Sequence, residues 1–189
     1  MSKENVEDIF REAGAVLQGH FLLTSGLHSP TYWEKFRIIE SPVHTEQLCR
    51  MIANYFRKES IGVVAGPTTG GIILAYETAR QLGVRCIFAE SISPTKRAFR
   101  RGFHIELGEN VLIVDDILTT GGSLRQVISA VDELKGNITG IGILVNRAEE
   151  EPDFGVPLFS CLRSITTAYS PENCPLCTQN IPLVKRGSS

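Results

Sequence analysis

Hydrophobic positions along the chain recur with two periods. Val6, Ile9, Phe10, Ala13, Val16 and Leu17 fall at helical spacing and predict an amphipathic helix over residues 3–17. Ser41-Pro42 offers a cap and a first-turn proline. Leu48, Met51, Ile52, Tyr55 and Phe56 then continue one face, so a second helix is expected near 43–58. A third, over 70–83, is closed by Gly83. A fourth carries Leu124, Val127, Ile128, Val131 and Leu134 and stops at Gly136-Asn137. Between and after them lie short apolar runs: IGVVAG (61–66), VRCIFAE (84–90), VLIVDD (111–116), GIGILVNR (140–147) and VPLFSCL (156–162). Their length and β-branched content read as strands. Strands alternating with helices predict an α/β fold, a mainly parallel central sheet flanked by helices. Residues 18–40 and 91–104 follow neither period and are expected to fold over the carboxyl ends of the strands, where α/β sheets bind ligands.

With 189 residues, 42% of them hydrophobic, the chain suffices for one core. A single domain over 1–189 is expected, with a core over about 43–165 and a small hood from 1–42 and 166–189. The net charge of −2 argues against a dedicated nucleic-acid binder. No apolar run approaches the roughly 18 residues of a membrane span. The N-terminus, MSKENVEDIF, is charged from its third residue and lacks an apolar stretch, so a cytoplasmic location is expected. Cys49, Cys86, Cys161, Cys174 and Cys177 are then expected as reduced thiols.

VLIVDDILTTGGSL (111–124) joins a buried strand, two adjacent carboxylates and a small-residue turn into a helix. Thr119-Thr120-Gly121-Gly122-Ser123 places hydroxyls and free backbone N–H groups at a helix N-terminus, which suits a phosphate. No G-x-x-x-x-G-K-[ST] loop occurs, so a monophosphate fits better than a triphosphate. Asp115 and Asp116, one residue apart on a strand, point to opposite sides. They can accept hydrogen bonds from a pair of sugar hydroxyls or hold a cation. A second glycine turn, GPTTGG (66–71), suggests another phosphate subsite on the same ligand. Between the turns, SPTKRAFRRGF (93–103) carries Lys96, Arg97, Arg100 and Arg101 and reads as a lid that neutralises a polyanion on closure.

VLIVDDILTTGGS resembles the phosphoribosyl-pyrophosphate (PRPP) signature of the type I phosphoribosyltransferases. GHFLLTSGLHSPTYWEK (19–35), GPTTGGIILAYETARQLG (66–83), RRGFHIELGENVLIVDDILTTGGS (100–123) and CPLCTQNIPLVKRGS (174–188) extend the resemblance in order along the chain, to the orotate phosphoribosyltransferases. The resemblance implies that Asp115 and Asp116 bind the ribose hydroxyls, and that Ile117, Leu118 and Thr119 to Ser123 hold the 5′-phosphate side of PRPP. It implies that Pro67, Thr68, Thr69 and Gly70 take the pyrophosphate through a strained or cis peptide. Arg100 and Arg101 would bind PRPP as well, while Lys96 and Arg97 would act in catalysis. Thr24, Ser25, Gly26, Thr119 and Arg147 would face orotate, the Arg147 guanidinium matching its carboxylate with two parallel hydrogen bonds. Mg²⁺ would be carried mainly by PRPP, with no direct protein ligand assigned. A homodimer is expected, with the lid reaching the neighbouring subunit; neither nucleic acid nor membrane is an expected partner. The chain departs from better-known members in four places. Thr24 and Gly70 stand where lysines are usual, Ser91 stands where many have arginine, and Lys96 is the one lysine of the lid.

Cys174-Pro-Leu-Cys177 is half of a zinc site or a redox pair. A zinc site needs two more ligands, and no second C-x₂-C exists, nor do the 4 histidines, His20, His28, His44 and His104, show H-x₃₋₅-H spacing. The motif recurs in the C-terminal segment of the resembled family, and the resemblance therefore implies a structural knuckle rather than zinc. Two rival readings share the PRPP machinery: a transferase for another nucleobase, separated by the base pocket, and a PRPP-sensing regulator, separated by salt-dependent heparin retention.

Overall fold

The computed structural model describes residues 3–23, 25–165 and 167–186. Helix α1 (Lys3–Glu12) ends five residues before the periodicity predicts. The chain reverses at Gly14 (φ 63°), and Ala15 N–H donates back to Phe10 O at 2.9 Å, closing the helix end. Val16 and Leu17 open β1 (Val16–Leu22) instead, because a short apolar pair fits either period. β2 (His28–Trp33) pairs antiparallel with β1, and the short α2 (Phe36–Ile39) leads into α3 (Pro42–Tyr55). The stretch 18–40, which has no period of its own, is therefore a hairpin and a helical turn.

The remaining elements alternate: β3 (Val63–Pro67), α4 (Gly70–Leu82), β4 (Arg85–Ser93), β5 (Lys96–Phe99), β6 (Asn110–Leu118), α5 (Gly122–Glu133), β7 (Asn137–Asn146) and β8 (Leu158–Arg163). Six strands form one sheet in the order β5-β4-β3-β6-β7-β8, parallel throughout except for the β4-β5 hairpin. The fold class is thus as expected. The basic segment is more ordered than its sequence suggests, since Lys96 to Phe99 form the edge strand β5. Lysine and arginine on an exposed edge oppose pairing with other chains.

Alternation along the strands sorts the core into two layers. Val63, Ala65, Val111, Ile113, Ile141 and Ile143 meet Leu124, Val127 and Val131 of α5. Val64, Leu112, Val114 and Leu144 meet Leu48 and Ile52 of α3 and Leu74 and Ala75 of α4. Strand β3 crosses over through α4 to β4 on one side, whereas β6 crosses through α5 to β7 on the other. Strand order therefore reverses between β3 and β6, and their carboxyl ends open the crevice in which such sheets bind ligands. A second, three-stranded sheet unites the chain ends: β9 (Val184–Lys185) lies parallel to β1, beyond the short α6 (Pro175–Thr178). No helix among the described residues is long and apolar enough to cross a membrane.

Leu112 is fully buried at the centre of the sheet. Leu112→Ala is expected to lower the unfolding free energy by about 3 kcal/mol through lost burial and a residual cavity. Urea denaturation checks this; a loss below about 1 kcal/mol would mean that the layer collapses around the gap.

Candidate active site

The two-residue repeat that sorts the core also separates the acidic pair. Asp115 continues the α5 face of β6 and lies beside Ser123, while Asp116 continues the α4 face. Both are buried, at 6% and 5% exposure. Asp116 N–H donates to Asp115 Oδ1 at 2.8 Å, and Ile117 N–H donates to Asp116 Oδ1 at 2.7 Å. Burial and the neighbouring Asp116 charge push the Asp115 carboxyl well above the ordinary aspartate range, against weaker opposing help from the Asp116 amide, Lys35 and Ser123.

Asp116 has a cation that sequence reasoning missed. Lys35, just beyond β2, places Nζ 3.1 Å from Asp116 Oδ1 and 2.8 Å from Oδ2. It lies inside the 19–35 segment that carries the resemblance, but no spacing rule links it to a carboxylate 81 residues away. Gly70 is explained by the same carboxylate. A Cβ there would crowd Asp116 Oδ2, so a side chain at position 70 would require the carboxylate to shift. The ammonium that faces Asp116 in this chain is that of Lys35.

The two predicted phosphate turns flank the acids. Thr119 and Thr120 are exposed, and Gly121 adopts φ 79°, with a would-be Cβ 2.8 Å from the Phe154 ring. Gly122 and Ser123 then open α5, whose free amides face outward from the helix N-terminus. Ile117 is half-buried. Leu118 points into the core, and its carbonyl accepts from Arg147 N–H at 2.8 Å. On the other turn Pro67 and Gly70 are buried, Thr69 is exposed, and the Thr68-Thr69 peptide is cis.

The basic segment divides. Arg97 Nη1 donates to Thr68 Oγ1 at 3.0 Å, and to Thr68 O and Ala89 O at 3.3 Å, tying β5 to the turn. Lys96 instead pairs with Glu133 of α5 at 2.7 Å. Arg101 pairs with Glu90 at 2.6 Å, and Arg100 lies 3.9 Å from the same carboxylate.

Arg147 follows β7. Its guanidinium is half-buried, its Nε has no hydrogen-bond partner, and burial lowers its pKa against the smaller opposing influence of Tyr32. Among the described residues no carboxylate pairs with it. Tyr32 and Lys35 thus bring the β1-β2 hairpin to the crevice. Ser25 and Gly26 are exposed in the hairpin turn, and Thr24 lies outside the described residues.

The phosphoribosyl transferase domain family matches residues 41–167. By class, then, the crevice is that of a phosphoribosyltransferase, a pentosyl-transferring enzyme. Over 188 residues the chain is 47% identical to an orotate phosphoribosyltransferase of Thermoanaerobacter sp. (strain X514), spanning 100% of this chain and 98% of that one. The orotate phosphoribosyltransferase of Desulforamulus reducens is 44% identical over the same span. The chain belongs to the orotate phosphoribosyltransferase family. Among solved structures, the orotate phosphoribosyltransferase of Aeropyrum pernix superposes with a TM-score of 0.71 at 24% identity, covering 84% of this chain and 93% of that one. An adenine phosphoribosyltransferase gives 0.65 at 20% identity, covering 85% of this chain and 100% of that one, so the fold by itself does not select the base.

The raised Asp115 pKa sets a pH dependence. The folded protein holds this proton more tightly than the unfolded chain, so stability falls as pH rises from the ordinary aspartate range through the raised value. Asp115→Asn is expected to raise the melting temperature of the ligand-free protein at about pH 8 and to change it little near about pH 4. Calorimetric scans across pH check this; a difference independent of pH would show that Asp115 does not carry the penalty.

Proposed function

We propose that this chain is the orotate phosphoribosyltransferase of pyrimidine (UMP) biosynthesis. It transfers the 5-phosphoribosyl group from PRPP to orotate, giving orotidine 5′-monophosphate and pyrophosphate. The observation that carries the choice of base is Arg147, a half-buried guanidinium with an unpartnered Nε and no carboxylate of its own. Orotate brings a planar carboxylate, which a guanidinium fork binds through two charge-assisted hydrogen bonds.

In this reading Asp115 and Asp116 accept the ribose 2′ and 3′ hydroxyls, and Lys35 shifts from Asp116 as the sugar arrives. Thr119 to Ser123 and the first amides of α5 hold the 5′-phosphate, with Ile117 and Leu118 setting the strand end behind them. Pro67 to Gly70 take the pyrophosphate, and Arg97, already bound to Thr68, adds the nearest positive charge. Lys96, Arg100 and Arg101 exchange their carboxylate partners, Glu133 and Glu90, for the polyanion when the β4-β5 hairpin closes. Thr24, Ser25, Gly26 and Thr119 border the base. Orotate N1 then bonds to C1′ as the C1′–O bond to pyrophosphate breaks and the N1 proton is lost. Positive charge grows on the ribose beside Asp115 and Asp116, and burial makes the ionised form of Asp115 costly until that charge develops.

Mg²⁺ fits as cargo of PRPP. The pyrophosphate oxygens supply hard ligands, and Asp115 is the site carboxylate not already held by an ammonium. When bound, the ion offsets charge on the departing pyrophosphate. A cytoplasmic homodimer is part of the same reading, without nucleic acid or membrane. Only the pairing of two copies draws support from the surface, where exposed Tyr76 lies beside Ile72, Phe88 and Phe103 along an open groove between α4 and the outer strands.

The test is the ultraviolet loss of orotate with PRPP and Mg²⁺, with pyrophosphate followed in parallel and adenine, guanine, hypoxanthine and uracil as alternatives. Turnover of orotate alone is expected, and preference for another base would reject the assignment. Arg147→Ala should raise the KM for orotate by about tenfold to a hundredfold, the worth of a hydrogen-bonded charge, and leave the KM for PRPP nearly unchanged. Equal losses for both substrates would remove Arg147 from the base pocket.

A further inference from the structure

The hood holds a cluster for which phosphoribosyl transfer has no use. His20 of β1, His28 of β2, and Cys174 and Cys177 on either side of the first turn of α6 bring their ligand atoms within 4.8 Å of one another. The first three are buried, Cys177 is at the surface, and both thiols are free. Three features of the fold assemble the group. The C-x₂-C wraps one helical turn, with Thr178 N–H donating to Cys174 O at 3.3 Å, which turns both sulfurs to one side. The β1-β2 register shifts between Gln18 and Phe21, and this irregularity sets the His20 ring beside that of His28, centroids 4.8 Å apart. The C-terminal segment is held over the hairpin at both ends, by the His28–Tyr169 bridge and by the pairing of β9 with Phe21 and Leu22.

The distances are those of a coordination shell. His20 Nε2 lies 3.0 Å from His28 Nδ1, 3.5 Å from Cys174 Sγ and 3.7 Å from Cys177 Sγ, and Cys177 Sγ lies 3.3 Å from His28 Nδ1. Zinc–nitrogen bonds of about 2.0 Å and zinc–sulfur bonds of about 2.3 Å in a tetrahedron put ligand atoms roughly 3.3 Å apart for N–N and 3.6 Å for N–S. His20 Nδ1 is 2.7 Å from Ile181 O, an acceptor, so Nδ1 carries the proton and Nε2 turns its lone pair to the cluster. A backbone carbonyl that fixes the tautomer in this way is the usual outer partner of a metal-ligating histidine.

We propose that His20, His28, Cys174 and Cys177 bind one zinc ion, which clips the C-terminal segment to the N-terminal hairpin. Two thiolates and two imidazoles in a closed tetrahedral set favour zinc over harder cations and leave no open position for chemistry. This departs from the structural knuckle expected in place of a zinc site, because the two further ligands are histidines from the other end of the chain. The spacing of His20 and His28 concealed this, because a hairpin rather than a helix brings them together. The turn between them contains Ser25 and Gly26, so the ion would brace the segment proposed to border the base.

The full-length protein, purified under reducing conditions without chelator or affinity metal, is expected to contain about one zinc per chain by mass spectrometry. After removal of the metal and addition of Co²⁺, the visible bands of tetrahedral cobalt and a near-ultraviolet thiolate charge-transfer band should appear. Cys177→Ser should lose the charge-transfer intensity of one thiolate and release zinc at lower chelator concentration; His28→Ala gives an independent second variant. Wild-type protein with reduced thiols that takes up neither zinc nor cobalt would overturn the site. So would unchanged metal content and spectrum in both variants, or a Cys174–Cys177 disulfide that persists under cytosol-like reducing conditions.

Discussion

Two adjacent carboxylates buried at the carboxyl end of the central strand are the constraint on which the crevice is built. Burying Asp115 and Asp116 is unfavourable, and each neighbour can be read as a response to it. The strand repeat points them to opposite layers, which limits their repulsion and gives each a different partner. Asp116 receives an ammonium from Lys35, just beyond β2, and the glycine at position 70 leaves its carboxylate room. Asp115 receives a backbone amide and the Ser123 side chain but no cation within bonding distance among the described residues, and burial together with the Asp116 charge makes it hold its proton more tightly. A ligand offering a pair of hydroxyls and a developing positive charge relieves both acids.

The same electrostatics hold the cations of the basic hairpin unevenly. Lys96 and Glu133 are both about half exposed, at 51% and 53%, and exposed ion pairs typically contribute about 0–1 kcal/mol. Little free energy therefore opposes release of Lys96. Arg100 and Arg101 share Glu90, whose side chain is only 18% exposed, so these two are held more firmly than Lys96. Arg97 is better anchored, through three bonds to main-chain and hydroxyl oxygens beside the turn, and is the cation best placed before any movement.

Much of this was legible in the chain because local grammar carries it. A strand, two acids, a small-residue turn and a helix follow one another in VLIVDDILTTGGSL, and the alternation rule separates the acids without coordinates. Sequence reasoning failed where distant segments meet. Lys35 reaches Asp116 from an aperiodic stretch, which no spacing rule links to the acid. His20 and His28 are too far apart for a helical metal motif and are joined by a β-irregularity. Val16 and Leu17 extended a helical period by coincidence, and the edge strand β5 has too few apolar residues to announce itself.

The account rests on recognition of sugar hydroxyls by the acidic pair, which is separable from recognition of phosphates. Calorimetric titration of PRPP and of pyrophosphate, each with Mg²⁺, into wild-type protein and into Asp116→Asn tests it most directly. Weaker PRPP binding by about tenfold or more, with pyrophosphate affinity preserved, is the predicted result for lost charge-assisted hydrogen bonds. Unchanged PRPP affinity, or an equal loss for both ligands, would contradict the assignment of Asp115 and Asp116 to the ribose.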